Sequence, residues 1–294
     1  MSTTRSKTGT RKHTTSRVEY TAGDSLKTQW RRWHRGDREP FPDEPLIAKL
    51  SKGRRKFASS VSELGGPAEL CAQLQTTWKH FHQGKFLEAV ELGANLGPLG
   101  AVAANKAVGV YSLYPKPSDD SVLALLEQAI ERGEAAAQAL PDYANAHYTL
   151  ALVLGRYSQR ISILRALAEG LGGRVRSHLD RTLGLEPEHA EGHIALGLYH
   201  AEIVAKLGGL AARLTYGASA AAAQQSFERA IELTPDSPIA MLEFARGLLL
   251  LDTSAHRERA LELLKGAVNC EAEDAMERLD AKEARRLLAA LKAN

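Results

Sequence analysis

Cysteine, aromatic residues and long apolar runs are all scarce in this chain of 294 residues, and each shortage excludes something. Two cysteines far apart in sequence, Cys71 and Cys270, exclude a disulfide scaffold and a thiolate metal site. Both are expected as buried, reduced thiols in a reducing compartment, the cytoplasm. Apolar runs are as short as Leu248–Leu251, against about 18 residues for a membrane helix, so no transmembrane segment is expected. No apolar stretch follows the basic start, which counts against an export signal. Glycine loops that cradle phosphate, nucleophile elbows and paired-carboxylate sites are missing too. No catalytic residue, cofactor or metal is expected, and the chain reads as a non-enzyme.

Charge is present but divided. Residues 1–60 hold 15 Lys or Arg against 6 Asp or Glu, a net of +9, whereas the remainder holds 23 against 29, a net of −6. Residues 1–62 are therefore expected to form a basic, largely disordered arm and linker, and residues 63–294 a folded body. Within the arm, Trp30, Arg31, Arg32, Trp33 and Arg35 place two indoles on one helix face among arginines. Such a face suits stacking on nucleic-acid bases or lying among anionic lipid headgroups; docking onto the body is the other reading. Arg35-Gly36-Asp37 reads as a chance tripeptide, and Pro40–Pro45 with Arg54-Arg55-Lys56 as an extended linker.

Beyond Pro67, Ala and Leu recur at spacings of three and four, broken by Gly or Pro, so the body is all-α. One unit reads His193-x2-Leu196-Gly197-x2-His200, then Ala223-x3-Phe227-x2-Ala230-x4-Pro235. The frame recurs at His147 to Pro187, at Ala129 to Pro141, at Met241 to Ala267 and, most faintly, at Trp78 to Pro98. It resembles the tetratricopeptide repeat (TPR). That resemblance implies a right-handed superhelical solenoid of about five helix pairs, closed by a C-terminal capping helix over residues 277–293. In the cap, Leu279, Leu287, Leu288 and Leu291 are expected to face inward, with Glu277 and Arg278 facing water.

Two of the pairs are stretched. The closing prolines at 141, 187 and 235 lie 46 and 48 residues apart, against about 34 in the ordinary repeat. Shared within each pair, the extra residues predict helices longer by about two turns, with inner turns at Gly172-Gly173 and Gly217. The stretched unit from Leu140 to Pro235 resembles the extended repeats of the regulator of microtubule dynamics family, which implies association with microtubules or organelle membranes.

In a TPR stack the first helix of each pair lines the concave face. The expected partner-binding groove therefore carries Trp78, Asn145, Tyr148, Arg156, Arg160, Glu202 and Arg246, a mixture suited to a peptide or protein partner. His147, His193 and His200 fall in the repeat's aromatic slots and are expected as packing groups, with His189 in the turn after Pro187. The band Arg156, Arg160, Arg165, Arg174 and Arg176 reads either as a docking strip for an acidic segment or as partners for acid-rich neighbouring helices. The function expected is a non-enzymatic scaffold. Alternatives are a nucleic-acid or anionic-membrane tether through the arm, and a small-molecule carrier of the transporter-associated TPR type with a pocket between Arg156 and Arg213.

Overall fold

The computed structural model describes residues 25–114 and 119–293, and these form sixteen α-helices and no strand. Three short helices come first: α1 (Ser25–Trp33), α2 (Glu44–Ser51) and α3 (Arg55–Glu63). Five pairs follow, each member packed on its mate. They are α4 (Pro67–His82) with α5 (Phe86–Ala94), α6 (Gly97–Tyr111) with α7 (Asp119–Ala139), α8 (Ala144–Ser158) with α10 (Leu171–Leu185), α11 (Ala190–Leu207) with α13 (Ala220–Leu233), and α14 (Pro238–Leu251) with α15 (Thr253–Asn269). Helix α16 (Ala275–Ala293) closes the stack on α14 and α15. First helices α4, α6, α8, α11 and α14 pack in succession as an inner layer, each backed by its partner. This is a TPR-like solenoid of five pairs and a cap.

The boundaries follow local chemistry. Pro67 occupies the first turn of α4, where its missing N–H is no loss. Asp43, Ser162, Ser219, Ser237 and Asp252 cap α2, α9 (Ile163–Ala168), α13, α14 and α15 by accepting from free first-turn N–H groups. The small residues of the repeat frame allow close approach. Phe227 is wedged between α11 and α14, where a Cβ on Gly197 would come within 2.8 Å of its ring. Gly93 serves the α5–α6 crossing in the same way, since a Cβ there would lie 2.8 Å from the Gly100 carbonyl oxygen.

Three expectations need correction. The extra residues in the stretched pairs do not lengthen both helices; they fold into separate short helices, α9 and α12 (Gly209–Tyr216), laid across the connections. Glycines explain why: Gly170 (φ 62°), Gly208 (φ 77°) and Gly217 (φ 62°) adopt left-handed backbone and break the chain there. Gly217 does mark a turn, but Gly172-Gly173 lies inside α10. Second, residues 25–62 are not a disordered arm and linker. Trp30, Ile47, Leu50, Phe57 and Val61 are buried in the main core, because α2 packs on α4 and α3 on α4 and α6. The stretch read as disordered, residues 1–18, lies outside the described residues. Third, Glu277 does not face water: it is 3% exposed, since the first turns of α16 close against α4 and α1 rather than against solvent.

Candidate peptide-binding groove

The inner layer curls until α16 meets α4, and the concave space so enclosed is filled by the chain's own residues 30–39, the N-terminal strap. Trp30 is 4% exposed and lies edge-on to Trp78 of α4, centroids 5.7 Å apart. Its indole N–H donates to the Glu39 carbonyl at 2.6 Å, folding the strap back on itself. Beyond α1 the backbone runs past three inner helices. The Gly36 carbonyl accepts from the Glu191 N–H at the head of α11 (3.0 Å), and the Asp37 carbonyl accepts from Asn145 of α8 (2.9 Å). The Asp37 carboxylate accepts from Lys106 of α6, which also reaches Glu191 at 3.0 Å. The Glu39 carboxyl takes hydrogen bonds from Tyr143 (2.7 Å) and Asn145 (2.6 Å).

Every one of these polar groups is buried, so their charges are set by one another. Burial alone would raise the Asp37 carboxyl, but His34 and Lys106 reverse that and hold it well below the usual range. Burial would likewise lower Lys106, and the carboxylates of Asp37 and Glu191 hold it above its ordinary value instead. Glu39 makes no ion pair among the described residues, and Lys106 lowers it only weakly. Burial, reinforced by the charge of Asp37, pushes its carboxyl up to about 8. At the strap's other flank His34 Nδ1 faces Asp37 (2.9 Å), His82 Nδ1 faces Asp274 (2.8 Å), and the two Nε2 atoms approach to 3.2 Å. With each Nδ1 donating to a carboxylate, that last contact bonds only when the pair shares one additional proton. Burial holds His82 itself down at about 4.

The residues singled out in the sequence divide between two places. Trp78, Asn145 and Tyr148 line the groove beneath the strap, Tyr148 donating to Glu191 at 2.7 Å. Arg246 is committed to Glu243 and Glu283 at its far end (2.6 and 2.7 Å). Glu202 lines a different, open cavity, Arg156 lines both that cavity and the hollow left in the groove, and Arg160 turns away to the Ser112 carbonyl (2.5 Å). Of the arm residues, Trp33 stacks on His82 with centroids 4.4 Å apart. Arg32 pairs with Asp236, Glu273 and Glu277, and Arg35 with Asp236 and Glu277; Arg31 is exposed. Docking onto the body is therefore the alternative observed for the indole pair, and the buried Trp30 ring is not free to stack on bases. Within the arginine band, Arg165, Arg174 and Arg176 pair with Glu169, Glu134 and Asp180, whereas Arg156 meets no carboxylate among the described residues.

Sequence reasoning missed Lys106, Asp37, Glu39, His34, His82 and Asp274. One signal was available: Asn105-Lys106 interrupts α6, a helix otherwise apolar on every side. A lysine there has to find carboxylates inside the protein. His189 does fall before α11, where its Nδ1 accepts from the Gly192 N–H (2.9 Å) and its Nε2 meets Asn145 Oδ1 (2.8 Å).

The open cavity, about 150 Å³, lies between α8, α10 and α11 and is bordered by the inserted helices α9 and α12. Its walls include Leu152, Leu171, Val175, Tyr199 and Ile203, with Arg156 and Lys206 at the rim. The Arg156 Nε is buried without a hydrogen-bond partner. Among the cavity's lining residues Ile163 (52%) and Leu167 (46%) of α9 are exposed, and on their solvent-facing sides α9 and α12 also expose Leu164 (80%), Leu210 (75%) and Leu214 (78%), which do not line it. The concave groove itself retains a smaller hollow of about 50 Å³ walled by Lys106, Tyr148, Ile239 and Met276. No helix among the described residues is long and apolar enough to cross a membrane.

Comparison with known proteins agrees with this architecture. The crystal structure of a thermophilic TPR protein from Thermus thermophilus superposes with a TM-score of 0.53, covering 74% of this chain and 99% of that one at 17% identity. At that identity the likeness speaks for the fold alone. No curated protein matches in sequence. The family model of regulator of microtubule dynamics protein 1-3 matches residues 104–292, from the second helix pair through the cap. That match spans more than half of the sequence, and the chain belongs to the regulator of microtubule dynamics family.

Proposed function

We propose that this protein is a non-enzymatic scaffold whose concave groove binds a peptide segment of a protein partner. The observation that carries this reading is the strap itself. The groove bonds a turn of main chain, the Gly36 carbonyl through the Glu191 backbone N–H and the Asp37 carbonyl through the Asn145 side chain, and anchors an aromatic at one end against Trp78. That is how a groove recognises a peptide: main-chain bonds supply affinity and side-chain pockets supply selectivity. Both cysteines are free, in keeping with a reducing compartment such as the cytoplasm.

A second reading follows from the cavity under α9 and α12, whose apolar walls and unpartnered Arg156 Nε suit a small amphipathic anion carried by the protein. Photo-crosslinking separates the two. A photoreactive side chain at Ile239, in the groove's residual hollow, is compared with one at Leu164 on α9, each in the full chain. Partner protein captured from position 239 and not from 164 supports the groove. Capture from 164 alone, or a small ligand co-purifying in native mass spectrometry with no protein captured at 239, sinks the groove reading.

A further inference from the structure

We infer that residues 30–39 are a releasable ligand of the groove, held in place of a partner peptide that presents a Trp and an Asp-x-Glu carboxylate pair to the same groups. The inference rests on the groove being a peptide site and adds what occupies it, what partner chemistry fits, and how access is controlled.

The first argument is the state of the groove without its strap. Of the buried groove side chains that the strap bonds, all but Tyr143 keep a second partner on the solenoid, while the carboxylates it pairs at the surface, Asp236 and Glu188, are more than half exposed. Lys106 keeps Glu191, Asn145 keeps His189, His82 keeps Asp274, and Glu277 keeps the Glu273 N–H at 2.9 Å. Glu191 in turn keeps Tyr148. Removing the strap leaves these groups paired, so the receptor surface stays formed. A segment needed to complete a core leaves orphaned charges behind when it departs.

The second argument is the state of the strap. Arg38 lies in the left-handed region (φ 52°), a conformation that a side chain bearing Cβ adopts only when its surroundings force it. Glu39 is buried without an ion-pair partner among the described residues, two residues from a second carboxylate. The Trp33 indole N–H is buried without an acceptor. Each of these features is relieved when the strap leaves the groove. Unpartnered buried polar atoms also occur on the inner helices, at His80, Arg156 and His200, but among the described residues Arg38 alone, of those that are not glycine, has a positive φ, and backbone strain placed in a segment is what its release would discharge.

The third argument is complementarity. Lys106 offers a buried cation to the Asp37 position, and Tyr143 with Asn145 offers two donors to the Glu39 position. An acidic peptide that adds a cation-free second carboxyl in protonated form, or replaces it by an amide, fits equally well. The groups that act on Glu39 are Asp37 on the strap, Lys106 from α6, Tyr143 at the head of α8 and Asn145 of α8, the last of which is in turn met by His189. Because the seated strap holds a Glu39 proton that the released strap gives up, release is favoured as pH rises from the ordinary 4.5 towards about 8. One proton changes the opening constant by about tenfold per pH unit within that window.

The test uses the full chain. Hydrogen-exchange mass spectrometry, corrected for intrinsic rates, is expected to show residues 30–39 opening at least about tenfold more often than α6 and α8, with the difference growing between pH 5 and pH 8. In Glu39→Gln, which carries no charge and whose amide oxygen accepts from Asn145 while its NH2 donates to the Tyr143 hydroxyl oxygen, the growth with pH is lost. A fluorescent peptide of the Trp30–Asp43 sequence is expected to bind Asp37→Asn at least about tenfold more tightly than the parent, since less of the groove is self-occupied. A control peptide with both Asp37 and Glu39 replaced by Ala does not bind. Exchange of residues 30–39 in the same event as α6, in the parent and in Glu39→Gln, overturns the releasable strap while leaving the groove reading to the crosslinking result. Opening of the strap without binding of the acidic peptide to any variant overturns the groove reading and this inference together.

Discussion

Two halves of the inner surface, built from the same repeat, have met opposite fates. From α4 to the first turns of α8 and α11 the concave face is covered, its charges buried and paired through Lys106, Asp37 and Glu191. From the last turns of α8 to α12 the stack is open instead: an apolar cavity between α8, α10 and α11, lined by the half-exposed Ile163 and Leu167 of α9 and by an arginine whose Nε has no partner. The repeat supplies a groove in both places. What differs is what the chain adds, a strap that fills one half and two short helices that frame the other. Packing energy thus concentrates in the covered half, and free binding capacity in the open one.

If that division is correct, equivalent changes in the two halves have unequal consequences. The largest effect is expected for Lys106→Met. It strands the Asp37 and Glu191 carboxylates in the interior, a loss of about 3–5 kcal/mol in urea unfolding. Arg156→Met on the open side, a residue with no ion pair to break, is expected to change stability by less than about 0.5 kcal/mol. Equal losses in the two variants would erase the comparison. Next comes a pair of glycines. A methyl group on Gly247 would lie 2.6 Å from the Phe227 ring, so Gly247→Ala is expected to cost about 1–3 kcal/mol through overpacking. Gly155, inside α8 at the open cavity, has nothing within 4 Å of its would-be methyl. Gly155→Ala should therefore gain up to about 1 kcal/mol by lowering the entropy of the unfolded chain.

How much of this could be read in advance depends on the kind of interaction involved. Repeat packing was legible: Ala223, Phe227, Ala230 and Pro235 impose the helix pair by their own size and shape, and the pairs emerged in the expected number. The inserts were legible as extra length but not as separate helices, because only the left-handed glycines at 170, 208 and 217 reveal where the chain breaks. The strap was invisible for a different reason. Its contacts join residues 69, 108 and 242 positions apart, and composition made it look like a charged tail. A segment rich in arginine resembles a solvated one unless its carboxylates and indoles have known destinations. Asp37 and Glu39 found theirs on helices that periodicity describes only as apolar.

A smaller effect separates the halves by pH. The covered half buries His82 and His189, held by burial down at about 4 and about 3 against an ordinary 6.5. The unfolded chain takes up protons on both that the folded chain refuses. Their contribution to stability is therefore complete above pH 6.5 and is lost as pH falls through the window towards 4. Urea midpoints should decline over that window, and His82→Gln should decline less steeply; identical slopes would remove His82 from the account.

The smallest effect on stability, and the sharpest on binding, belongs to the exposed leucines of α9 and α12. Leu164 and Leu214 are 80% and 78% exposed, so replacing both with Lys removes almost no buried area and should leave the unfolding midpoint within about 0.5 kcal/mol of the parent. The same double variant adds two cations to the solvent-facing sides of α9 and α12, whose Ile163, Leu167 and Tyr216 form an apolar rim of the 150 Å³ cavity. Uptake of an environment-sensitive apolar dye should fall several-fold if that rim is what admits apolar molecules. Unchanged dye uptake would show that the cavity is closed to such molecules whatever its walls are made of, and the open half would then differ from the covered half only in having no strap.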